Sequence, residues 1–136
     1  MEHERRQQRH YFLNAWSKRA SPESLSALER QLLDVIELHP EFHHIFNNDD
    51  ILDKDYRTDD NPFLHMSLHL GLMEQLTTNR PRGIRDIYQQ LYKCHQDEHH
   101  IQHLMMEVMA TVIWDAQQSN TLPNEQLYIQ KLKSLT

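Results

Sequence analysis

The chain has 136 residues, 38% of them hydrophobic and 25% charged, with a formal net charge of -6. That length gives one domain over 1–136 a real core and is too short to expect two. The acidic balance and the lack of a long basic run argue against nucleic acid as a partner, and no apolar run approaches the ~20 residues of a bilayer span.

The N-terminus lacks the apolar core of a signal peptide. Cys94 is the single cysteine, so no internal disulfide can form and a cytoplasmic location is expected. The lone thiol is expected to be a small core residue. A protein partner or a homo-oligomer stays open. Against this ordinary background the chain has only two glycines and as many as eleven histidines.

Two glycines leave little material for hairpin turns or phosphate-cradling loops, so the predicted fold class is all-α, a single-domain helical bundle of about six to seven helices. Residues 4–19 read as a first helix with Phe12, Ala15 and Trp16 on its contact face. Ser21-Pro22 is a cap-and-proline start for a second helix. Its stripe is Leu25, Leu28, Leu32, Val35, Ile36 and then His39. Pro40 ends or restarts that helix, and a short turn with Phe42, His43 and Phe46 follows. Residues 47–60 are polar and rich in Asp; without the glycine and final glutamate of a calcium loop they read as a solvated connection.

Asn61-Pro62 repeats the cap-then-proline signal and opens a helix to about Thr78 that carries His65 and His69. Arg80-Pro81-Arg82-Gly83 is a turn. Ile84, Ile87, Leu91 and Cys94 form one face of the next helix. The longest helix is predicted over 97–118, capped by Asp97. At roughly 100° per residue, His99, His103, Met106, Glu107, Ala110 and Trp114 share one sector of it. Leu104, Met105, Val108 and Val112 lie opposite. Pro123 starts a short last helix with Leu127, Ile129 and Leu132.

His65 and His69 stand one turn apart, and Leu72 and Leu76 continue their stripe, so both imidazoles can aim at one ion from a buried face. Glu74 lies roughly 180° from His65 and is left out. His99, His103 and Glu107 drift by only ~40° per step and form a second aligned set. Bundle proteins build metal sites from inward residues on facing helices. The candidate ligands are therefore His65, His69, His99, His103 and Glu107, and the implied cofactor is a divalent ion such as zinc, iron, manganese or nickel. His39 and His43 have the same spacing, but Pro40 interrupts it, so His39 is the weaker candidate to join. The alternative reading is a non-enzymatic interaction or structural module in which buried histidines only pack and hydrogen-bond.

Sharper motifs do not fit. No Glu-x-x-His pair of the ferritin-like type falls on a core face. The ligand types approach a hemerythrin-like bundle, but their order along the chain is reversed. His95-Gln96-Asp97-Glu98-His99 matches an inverted zinc-protease pattern, yet a helix break at Gln96-Asp97 separates its histidines. The methionines at helical spacing read as core filler.

The strings Asn61-Pro62-Phe63-Leu64-His65-Met66-x-x-His69-Leu70, His103-x-Met105-Met106-Glu107 and Trp114-x-Ala116-Gln117, with His39-Pro40-Glu41, resemble a proteobacterial family, the domain of unknown function 1841. The resemblance covers almost the whole chain. It implies a small bacterial cytoplasmic protein and supplies no activity, substrate or ligand set. Family members often carry Glu where this chain has Gln102, so a carboxylate role there is not available.

Overall fold

Capping chemistry and proline placement set where each helix begins. A computed structural model describes residues 2–57 and 60–136. Six α-helices cover Glu2–Ser17 (α1), Ala27–Glu37 (α2), Pro62–Thr78 (α3), Ile84–His95 (α4), Glu98–Gln118 (α5) and Glu125–Lys133 (α6), with 3-10 segments at Pro22–Ser24 and Pro40–Asn47. The fold is all-α, with no strand among the described residues. No helix among them is long and apolar enough to cross a membrane. The chain divides into two compact units, Met1–Leu70 and Gly71–Thr136.

In the first unit α1 packs on α2. The core is Phe12 and Ala15 from α1, Leu32, Leu33, Val35 and Ile36 from α2, then Ile45, Phe46, Ile51, Phe63 and Met66. Phe12 meets Phe63 edge-on with ring centroids 5.5 Å apart, and Trp16 stacks on Phe46 at 5.1 Å. Such pairs add about 0.5–1.5 kcal/mol beyond area burial.

The second helix starts later than Ser21-Pro22 predicts. Ser21 makes no side-chain cap, and the helix opens at Ala27 behind Ser26. The Ser26 hydroxyl accepts from the Glu29 amide, and the Glu29 carboxylate accepts from the Ser26 amide. This reciprocal box satisfies two amides that a helix start otherwise leaves open, and it outcompetes the proline signal. Lys18 adds an ion pair to Glu29 at 2.9 Å. Leu28, expected on the buried stripe, is exposed.

The Asp-rich connection is tied down. Arg9 is 1% exposed, and its guanidinium donates to the carbonyls of Ile51 and Lys54 at 3.1 and 2.8 Å. It also lies 4.8 Å from the Phe63 ring centroid. Burial, then the nearby Arg5 charge, lowers the Arg9 pKa. Arg5 pairs with Asp55 at 2.7 Å, and Arg6 pairs with Asp53. Thr58 and Asp59, part of the expected connection, lie outside the described residues.

In the second unit α4, α5 and α6 pack on one another. Gly83, at φ 98°, takes the left-handed backbone that precedes α4, where a Cβ is disfavoured. Gln96 ends α4 in the left-handed region and Asp97 caps α5 by accepting from the His100 amide. Ile84, Ile87 and Leu91 are buried, but Cys94 is exposed. The expectation of a core thiol is corrected: the buried stripe of α4 stops before the helix's last turn.

Candidate metal centre

The proline that interrupts the His39/His43 pair is what positions His39. Leu32, Val35 and Ile36 set a buried stripe, and His39 falls next on it. Pro40 starts a 3-10 segment, so His39 sits between two helical pieces at φ -125° and ψ 64°. Its ring is 0% exposed. The Nδ1–H donates to the Val35 carbonyl at 2.7 Å. A carbonyl only accepts, so the proton is on Nδ1 and the Nε2 lone pair is left facing inward.

That lone pair faces α3. Asn61 caps α3, its Oδ1 accepting from the amides of Phe63 and Leu64. The helix then carries His65 and His69 one turn apart. His69, 2% exposed, places Nδ1 at 3.1 Å from His39 Nε2. Two nitrogens bound at 2.0–2.1 Å to a tetrahedral ion stand about 3.3–3.4 Å apart. The ring centroids of His39 lie 4.8 Å from His65 and 4.9 Å from His69. A ring nitrogen from each of these three histidines lies within 4.8 Å of the others. Phe42 stacks parallel to His39 and meets His65 edge-on, each at 5.5 Å.

The donor set is all imidazole; among the described residues no carboxylate or thiol joins it. Neutral nitrogen donors suit zinc, nickel and iron and do not suit calcium or magnesium. The His39 Nδ1–H to carbonyl bond is the arrangement that fixes tautomer and ring orientation in metal-ligating histidines. His43 does not share the site. Its Nε2–H donates to the Ile36 carbonyl at 2.8 Å and its ring sits 4.7 Å from Trp16.

On α5 the buried residues are Ile101, Met105, Met106, Met109, Val112 and Ala116. The centre of that stripe is roughly 160° from the sector predicted to hold His99, Glu107 and Trp114. All three are exposed, Trp114 at 57%. His103 is half-buried at the sector's edge, and its ring contacts His99 with centroids 4.0 Å apart. The spacing ranks His39 below these residues, although its place on the α2 stripe is the available signal.

Fold and site thus define an all-α protein with a buried histidine cluster of metal-ligand chemistry. The chain belongs to the family described as domain of unknown function (DUF1841), whose model matches residues 4–134. No curated protein and no solved structure matches the chain.

Proposed function

We propose that this protein binds one divalent metal ion, of the zinc, nickel or iron group, through buried and half-buried histidines. The observation that carries the reading is the His39 ring. Its Nδ1–H is held by the Val35 carbonyl, so its Nε2 lone pair is aimed at His69 and His65. His39, His65 and His69 are the ligand set. A tetrahedral ion held by four protein ligands is structural, whereas one held by three keeps a position open. His99 and Glu107 are exposed and stand outside the proposed set. We place the protein in the cytoplasm, where an exposed single thiol stays reduced.

A second reading is favoured by the same bonds. The Val35–His39–His69 chain also satisfies buried polar groups without any ion. Elemental analysis of protein purified without a histidine tag separates the two. About one ion per chain supports the metal site, and metal-free native protein supports the hydrogen-bonded core.

A further inference from the structure

The second unit carries a groove that the metal reading does not use. It encloses about 450 Å³, within the size range of small-molecule sites, which are mostly apolar with a few polar groups. Met109, Val112, Ile113 and Leu122 form its apolar wall. Leu122 stands 89% exposed on the lip. At the inner end the Tyr128 hydroxyl donates to Gln75 Oε1 at 2.8 Å. Burial raises the Tyr128 pKa, so this phenol stays neutral.

Charge gathers where the groove adjoins a second hollow. Arg80 lines the groove and also an adjoining hollow of about 460 Å³ that Arg82 helps to form. Both guanidiniums are exposed and permanently charged, with a planar fork of donors that matches a carboxylate. Glu125 lines both spaces as well and opposes an anion. Two cations and one anion leave the rim with a net charge of about +1, which fits a single carboxylate better than a dianion.

We propose that this groove binds a small monocarboxylate with an apolar tail of medium length. The tail lies along Met109, Val112 and Ile113, and the carboxylate sits on Arg80 and Arg82. The site is independent of the histidine cluster.

The test is calorimetric titration of the full chain with octanoate, with 1-octanol and octylamine as charge controls. Octanoate is expected to saturate one site, and the two controls are expected to bind at least about tenfold more weakly. Replacing both Arg80→Ala and Arg82→Ala is expected to weaken octanoate by about tenfold, the equivalent of losing one charge-assisted hydrogen bond. Glu125→Gln is expected to tighten it. Ile113→Trp, which fills the groove, is expected to abolish it. The arginine and glutamate variants change exposed side chains, so they keep the test valid even if Ile113→Trp fails to fold. Octanol binding as tightly as octanoate, an unchanged double arginine variant, or no saturable octanoate binding would each overturn the proposal.

Discussion

His39→Leu separates a metal site from a hydrogen-bonded core, because it acts differently with and without metal. Leucine approximates the ring's volume and suits the apolar stripe of Leu32, Val35 and Ile36. In metal-free protein two polar groups lose a partner. The Val35 carbonyl loses its 2.7 Å donor, and the His69 Nδ1–H, 2% exposed, loses its 3.1 Å acceptor. Each stranded group costs about 1–3 kcal/mol, so the sum is about 2–6 kcal/mol before relaxation. With zinc present the wild type gains a further term that the variant loses. An ion held at a thousand times its Kd stabilises by about 4 kcal/mol, or about 12 °C in Tm at ~3 °C per kcal/mol for a chain of this size. The assay is thermal unfolding of both proteins, each with zinc and with chelator. The gap between them is expected to widen by about 4 kcal/mol when zinc is present. An equal gap in both conditions would refute the ligand role of His39 and leave only its hydrogen bonds.

Two other perturbations test the frame that holds the site. Arg9→Met should cost about 2–4 kcal/mol, because the buried carbonyl of Ile51 and the part-buried carbonyl of Lys54 lose a charged donor; amide exchange should quicken first over residues 50–57, and an unchanged exchange pattern there would count against Arg9 as the anchor. Glu29→Gln tests the capping box. The Ser26 amide, then Lys18, holds the Glu29 carboxyl below its ordinary 4.5. Its stabilisation is therefore fully present above that value and is lost as pH falls through the lower folded pKa. The stability gap between wild type and Glu29→Gln should be constant near neutrality and shrink in that acid window, and a gap that grows on acidification would contradict the assignment.

Much of the fold is legible in the chain. Two glycines predict helices, Asn61-Pro62 marks the start of α3, and Asp97 marks that of α5. The departures have physical causes. Ser21-Pro22 is a recognisable start, but Ser26 and Glu29 satisfy more backbone donors and move the helix start to Ala27. On α5 apolar residues lie nearly all round, so periodicity groups side chains by angle without revealing which angle is buried. His99, Glu107 and Trp114 of the predicted sector are exposed, whereas Met106 of the same sector is buried. His39 reads as the weaker candidate because Pro40 breaks the spacing to His43. The same break turns His39 into the residue between two helical segments and leaves its ring on the buried stripe. Hydrogen bonding to a carbonyl four residues earlier is not written in spacing, and it is the detail that orients the site.

The most direct measurement of the central claim is metal content per chain, by elemental analysis of untagged wild type, His39→Leu and His69→Leu after equal exposure to zinc and gel filtration. The metal site predicts about one ion per wild-type chain and a small fraction of that in either variant. Wild type that carries no more metal than the two variants would contradict it.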